Sequence, residues 1–249
     1  MNRFEGKTIL ITGGTSGFGF AAAKMIVEEG GDVAVTGTTQ DHLDEAGRTL
    51  PPSALVLRND ASDPAAAKEL AEKVRDQMDG LDGLWLNAGF GKFMPPQQND
   101  ADTFDAMMNV NVRGPVLQMA ALMDQVKDGG SVLFTSSVAP YMGQAEGAVY
   151  AATKAADLSL ARSYARGLAP RGVRVNSVAP GPIETNFFES MGLSDEEKDG
   201  FKEQVTAQVP LGRFGQAEEV AQVALFLLSD QASYVTGSEY IVDGGLTMR

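Results

Sequence analysis

Seven short apolar runs alternate with helical stretches along most of the chain, and this alternation restricts the fold more than any other feature. The runs are Thr8–Thr12, Val33–Thr36, Ala54–Leu57, Gly83–Leu86, Ser131–Thr135, Val173–Val178 and Glu239–Val242. They are rich in Val, Ile and Leu without polar alternation, which predicts strands buried on both faces of a parallel sheet. Helices are predicted between them, over Gly17–Glu29, Gln40–Thr49, Pro64–Met78, Asp102–Asn111, Pro115–Lys127, Tyr150–Leu168 and Ala217–Leu228. Asp63 before Pro64 reads as an N-cap followed by the first helical residue, and Gly114–Pro115 as the same device. Alternating βα units imply an α/β fold, a doubly wound parallel sheet of about seven strands with helices on both faces. In such a fold the ligand lies at the carboxyl ends of the strands.

The chain has 249 residues, enough for one large α/β domain and thin for two, so residues 1–249 are expected to form a single domain. One stretch breaks the rhythm. From Pro180 to Pro210 there is no strand pattern, only a polar helix over Asp195–Val205 flanked by Gly and Pro. Because it follows the carboxyl end of a predicted strand, residues 182–210 are expected to form a substrate-loop lid rather than an idle surface excursion.

Apolar residues make up 43% of the chain and charged residues 21%, which excludes wholesale disorder. No apolar run approaches the ~20 residues that span a bilayer, and Met1–Lys7 lacks the basic-then-apolar pattern of a signal peptide. A cytoplasmic location with no membrane partner is expected. The formal charge of −13 would repel DNA, so no nucleic-acid partner is expected. It does not exclude a dinucleotide, because backbone N–H groups at a helix N-terminus hold a pyrophosphate whatever the net charge. The absence of cysteine excludes disulfides, thiolate chemistry and cysteine zinc sites, and no metal is expected. The single histidine, His42, sits in a polar segment and reads as a surface side chain, so a histidine base is not expected.

The first predicted strand runs straight into Gly13-Gly14-Thr15-Ser16-Gly17-Phe18-Gly19 and then a helix. Strand, glycine turn and helix in that order are the context a nucleotide needs. Gly13 permits a tight turn, Gly17 lets backbone approach a pyrophosphate, and Gly19 lets helix and strand pack closely.

The spacing Thr12-Gly13-x-x-x-Gly17-x-Gly19 resembles the short-chain dehydrogenase/reductase family, and the resemblance continues in order along the chain. Asn59-Asp60-Ala61, Leu86-Asn87-Ala88-Gly89, Asn109-Val110-Asn111-Val112-Arg113-Gly114, Ser136-Ser137, Tyr150-Ala151-Ala152-Thr153-Lys154, Pro180-Gly181-Pro182-Ile183-Glu184-Thr185 and Val242-Asp243-Gly244-Gly245 all match family motifs. The resemblance implies a Rossmann-like domain. It implies cofactor contacts from Gly13, Thr15, Ser16, Gly17, Phe18 and Gly19 in the turn, and from Gly37, Thr38 and Thr39 after the second strand. Asp60 and Ala61 would lie at the adenine, and Asn87, Ala88 and Gly89 beside the cofactor. Pro180, Gly181, Ile183 and Thr185 would meet the nicotinamide. The N-x-x-G spacing selects Asn111 over Asn109 as a catalytic residue, holding a water that continues a proton path from the lysine. Ser137, thirteen residues before Tyr150, is the active serine and Ser136 its structural neighbour.

The chemistry of these residue types supports the assignment. Tyr150 and Lys154 are four apart at the start of a predicted helix and share a face. A free phenol, with pKa about 10, is a poor base at neutral pH, and a nearby ammonium favours the phenolate. Tyr150 would then protonate a carbonyl or deprotonate an alcohol. Lys154 would also bond the nicotinamide ribose, and Ser137 would stabilise charge on the substrate oxygen. An NAD(P)-dependent oxidoreductase is expected, most simply a carbonyl reductase.

An acid at the end of the second strand would bind the ribose hydroxyls and repel a 2′-phosphate. Gly37 stands there instead, which leans toward NADP(H). The usual basic residues are absent too, with Ser16 and Thr38 in their places, so NAD(H) stays open. Candidate pocket residues are Ala139, Tyr141, Met142, Gln144, Phe90, Phe93, Phe187 and Phe188, beside Ser137 and Tyr150, and suit a small hydrophobic ketone or secondary alcohol. Arg113 and Arg213 are the basic residues that could instead hold a charged substrate. The resemblance also implies a homotetramer. The alternative function is a non-catalytic dinucleotide sensor on the same fold, which would be expected to lack some of Asn111, Ser137, Tyr150 and Lys154. A serine hydrolase lacks a histidine partner.

Overall fold

Seven strands pair in parallel in the order β3-β2-β1-β4-β5-β6-β7. They are β1 (Thr8–Ile11), β2 (Asp32–Gly37), β3 (Leu55–Arg58), β4 (Leu81–Leu86), β5 (Val126–Thr135), β6 (Arg174–Pro180) and β7 (Glu239–Val242). The computed structural model describes residues 2–185 and 195–248. Its helices are α1 (Gly17–Glu28), α2 (Gln40–Thr49), α3 (Ala66–Gln77), α4 (Ala101–Met108), α5 (Gly114–Leu122), α6 (Ala139–Met142), α7 (Ala148–Leu168), α8 (Asp195–Thr206) and α9 (Ala217–Leu228). The strand order reverses between β1 and β4, and the crevice beyond their carboxyl ends is where a doubly wound sheet holds its ligand.

Successive strand side chains point to opposite faces, so a strand covered on both sides must be apolar at every position. On β1, Ile9 and Ile11 face the core shared with α1 and α9, while Leu10 faces the core shared with α3, α5 and α7. Trp85 of β4 is fully buried in the first core, and its indole N–H donates to Thr135 Oγ1 at 2.9 Å. That satisfies the one polar atom of a side chain that would otherwise be costly to bury. No helix among the described residues is long and apolar enough to cross a membrane.

Most boundaries shift by a residue or two from the sequence expectation, and three of the differences have a clear physical reason. The helix expected from Pro64 starts at Ala66, because the Asp63 carboxylate accepts the Ala65 N–H and Ala66 N–H bonds the Asp63 carbonyl, spending the first turn on a tight entry. The two helices expected at Asp102–Asn111 and Pro115–Lys127 run on from one another through a π-turn at Asn109–Arg113. Pro115 has no N–H to give Asn111 in α-register, so an irregularity here has a covalent cause. Val126 and Lys127, expected at a helix end, instead open β5, where Val126 pairs with Leu81. That pairing is long-range and invisible to local periodicity.

Candidate functional site

The glycine turn closes over the end of β1 by direct backbone contact. Gly13 has φ +63°, and a Cβ there would lie 2.9 Å from Ala88 Cα. A Cβ at Gly19 would lie 2.7 Å from Asn87 Nδ2 and 2.9 Å from the Gly13 carbonyl, so the first turn of α1 rests on the loop after β4. Thr12 and Asn87 lock this arrangement. Thr12 Oγ1 accepts the Asn87 and Ala88 N–H groups at 3.0 and 3.2 Å. Asn87 Nδ2 donates to the Gly13 carbonyl, and Asn87 Oδ1 accepts from Thr135 Oγ1. Ser16 precedes α1 with extended backbone, yet its side chain makes no capping bond and no acid occupies the first turn. The turn therefore presents uncapped N–H groups and the positive end of a helix dipole, with glycine where bulk would intrude. These residues fit a dinucleotide pyrophosphate.

At the end of β2 a Cβ on Gly37 would sit 2.1 Å from Thr15 Oγ1, so Thr15 fills the space an acidic side chain would need. Beside it stands a residue the sequence patterns passed over. Arg58, opposite Gly37 in the β2–β3 register, donates to the Thr38 carbonyl at 2.5 Å and to Gln40 Oε1 at 2.7 Å. A guanidinium thus reaches the carboxyl end of β2 from the neighbouring strand. Thr38 and Thr39 are exposed beside it, and Asp60, also exposed, turns its carboxylate onto the Ser62 N–H at 2.8 Å.

Tyr150, Lys154 and Ser137 line one cleft of about 190 Å³ beyond β4 and β5. Lys154 is 4% exposed. Its ammonium donates to the Thr135 carbonyl at 2.8 Å and to Asp157 Oδ2 at 3.0 Å. Burial pulls its pKa down, but Asp157 and Tyr150 outweigh that pull and hold it above the ordinary lysine value. A Cβ on Gly89 would lie 3.2 Å from Lys154 Nζ, which is why the loop after β4 has backbone alone at this point. The two serines differ as their order suggests. Ser136 Oγ is 3.0 Å from the Val178 carbonyl and 2.6 Å from Glu239 Oε1, tied into the sheet. Ser137 Oγ accepts the Ala139 N–H at 3.1 Å, which leaves its own proton to point at a ligand.

Asn111 is fully buried, and its carboxamide is already engaged. Nδ2 donates to the Phe90 carbonyl at 2.8 Å and to Thr153 Oγ1 at 3.0 Å, and Oδ1 accepts the Phe90 N–H at 3.0 Å. The side chain cross-links the loop after β4 to α7, so a water at Asn111 would have to use its main-chain carbonyl.

Ala139, Met142, Gln144 and Phe93 line the cleft, with Phe93 packed on Tyr150 at 5.5 Å between ring centres. Pro180, Gly181, Ile183 and Thr185 close it opposite the glycine turn, and a Cβ on Gly17 would be 3.6 Å from Thr185 Cγ2. Tyr141 does not join the lining, because its hydroxyl donates to Glu239. Phe90 stands outside the lining as well. Phe187 and Phe188 lie outside the described residues. Arg113 donates to the Ser62 carbonyl, and Arg213 forms a two-pronged pair with Glu219, so neither reaches the cleft. Val205 of α8, with Gln208 just beyond it, adds lining that the sequence did not single out.

Residues 13–247 match the protein-family model described as enoyl-(acyl carrier protein) reductase. A 3-oxoacyl-[acyl-carrier-protein] reductase of Thermotoga maritima is 38% identical, over 99% of this chain and 100% of that protein. The solved short-chain dehydrogenase/reductase of Brucella melitensis, a glucose/ribitol dehydrogenase by name, superposes with a TM-score of 0.92 at 30% identity over 99% of each chain. Levodione reductase superposes at 0.90, with 32% identity over 98% of each chain. Matches of this extent leave one conclusion: the chain belongs to the short-chain dehydrogenase/reductase family, NAD(P)-dependent oxidoreductases that act on CH–OH and C=O groups.

Proposed function

We propose that the protein is a carbonyl reductase for a small hydrophobic ketone, working reversibly on the matching secondary alcohol. The observation that carries this is the convergence of the Ser137 hydroxyl, Tyr150 and a buried, charged Lys154 on one apolar-lined cleft. When bound, the nicotinamide supplies the hydride. Ser137 donates to the carbonyl oxygen, polarising it as negative charge builds. Tyr150 Oη gives its proton to that oxygen as the carbon becomes saturated, and recovers it from solvent. Lys154 would hold the ribose of the bound cofactor, and it keeps positive charge beside Tyr150. Asn111 fixes the loop that Lys154 packs against. The Thermotoga relative and levodione reductase are both reductases by name, which supports the direction. The test follows reduced-nicotinamide absorbance with NADPH and NADH against aryl ketones, β-keto esters and cyclic diketones. Turnover supports the reading; tight cofactor binding with no turnover in either direction would favour the sensor.

NADP(H) is the preferred cofactor in this reading. Arg58 supplies the positive charge that the β2 end lacks, and Thr15 bars an acid from Gly37. Arg58→Ala is expected to weaken NADPH binding by roughly tenfold, the scale of one charge-assisted hydrogen bond, and to leave NADH unmoved. Equal losses for both cofactors in a fluorescence titration would remove Arg58 from this role.

The described parts of the expected lid, 182–185 and 195–210, serve as a cover of the cleft, which the position of Val205 supports; residues 186–194 of it lie outside the described residues. Val205→Ala should raise KM for an apolar ketone by roughly tenfold, with cofactor affinity kept. An unchanged KM would take α8 off the binding surface.

A further inference from the structure

Asp157 lies one turn beyond Lys154 on α7 and is 2% exposed. Its Oδ2 is 3.0 Å from Lys154 Nζ, while its Oδ1 has no hydrogen-bond partner among the described residues. A buried carboxylate repays its desolvation as stability only when further hydrogen bonds satisfy its remaining lone pairs. One buried with a single partner carries a desolvation penalty of several kcal/mol that the pair repays poorly as stability. The acid therefore acts on the ammonium it touches. Of the three ammonium protons, Thr135 and Asp157 take two, leaving one for the cleft.

We propose that Asp157 is a positioning residue that neutralises Lys154 and thereby raises the pH at which Tyr150 gives up its proton, keeping the site poised for carbonyl reduction at neutral pH. This rests on Tyr150 being the proton-exchanging group of the proposed function. The groups that face the pair are few. From α7 come Lys154 and Tyr150, from β5 the Thr135 carbonyl, from the loop after β4 the Gly89 backbone, and from the π-turn the neutral carboxamide of Asn111. Among the described residues, no charged group other than Lys154 acts on Asp157, and only Asp157 and Tyr150 act on Lys154.

The sign follows from charge alone. Burial pushes the Asp157 carboxyl up to about 6 against the opposing pull of Lys154. Above that pH the pair is neutral, and its attraction for a phenolate is weak. Remove the carboxylate, and the unopposed ammonium favours loss of the Tyr150 proton at lower pH. Reduction needs Tyr150 to enter protonated, so Asp157 extends the pH range of reduction and moves alcohol oxidation to more alkaline solution.

The test is a pH titration followed by NMR of the protein labelled with ¹³Cζ-tyrosine, the Tyr150 signal being identified among the five tyrosines by its loss in Tyr150→Phe. In Asp157→Asn the Tyr150 resonance should move to its phenolate position on the order of one pH unit below the parent. Asp157→Leu, which removes the charge and fills the apolar space, should do the same and stands in if the Asn variant does not fold. Asp157→Glu should restore the parent titration. Wherever a ketone or alcohol turns over, the pH–kcat profile of oxidation should shift by the same amount. A Tyr150 titration that superposes on the parent's, with only a lower melting temperature, overturns the proposal. A shifted titration in a protein that turns nothing over upholds the electrostatic link and counts against the carbonyl reductase; turnover with an unshifted titration does the reverse.

Discussion

Tyr150→Phe is expected to lower kcat by about 10²–10⁴-fold, the range for losing one positioned acid/base, while cofactor affinity stays within about twofold of the parent. The ring is kept, so its packing on Phe93 and its place in the first turns of α7 survive. Only the hydroxyl is lost. Lys154 keeps its bonds to Thr135 and Asp157, so the ribose side of the site is intact. Stopped-flow turnover and a fluorescence titration of NADPH separate the two effects. A variant that binds poorly and turns over normally once saturated would move Tyr150 from the chemistry to the binding surface.

Lys154→Met should abolish measurable turnover and destabilise the fold at the same time. Breaking a buried ion pair from one side costs about 3–5 kcal/mol, because the remaining charge is stranded. The stranded group is Asp157, and without Lys154 burial acts on it unopposed, driving its carboxyl further above the value of about 6. The pH dependence then has a definite sign. A carboxyl whose folded value is raised contributes stability below its unfolded value of about 4. That stability is lost as pH rises through the folded value. Lys154→Met should therefore lie closest to the parent in acid and fall furthest behind above pH 6. Lys154→Met combined with Asp157→Leu removes both charges and should recover most of the lost stability, with no recovery of activity. Urea midpoints at pH 5 and 8 check this. A single variant as stable as the parent at pH 8 would mean the pair carries no net burial penalty.

Much of the fold was legible in the chain because its information is local. Strands such as β1 are apolar at every position, since Ile9 and Ile11 enter one core and Leu10 the other. The glycine turn announces itself because only glycine tolerates the approach of Ala88 to Gly13 and of Asn87 to Gly19. What escaped the sequence depends on pairing between distant segments. Arg58 stands 20 residues from Thr38 and reaches it only through the β2–β3 register. Tyr141 looked like a pocket aromatic, but Glu239 on β7 draws its hydroxyl away. Asp157 and Lys154 are neighbours on one helix and read as an ordinary surface pair; only the packing of α7 on the sheet takes them both out of solvent. The π-turn at Asn109–Arg113 had a local sign, Pro115, which is equally a helix-start signal.

The most direct measurement is the fate of deuterium. NADPH carrying deuterium at both hydrogen positions of nicotinamide C4 is incubated with the parent protein and an aryl ketone, and the product is analysed by mass spectrometry and proton NMR. The account predicts a secondary alcohol with one deuterium on the carbinol carbon, in a single configuration, and none from Tyr150→Phe on the same time scale. Alcohol formed without deuterium, or formed equally by Tyr150→Phe, would contradict it.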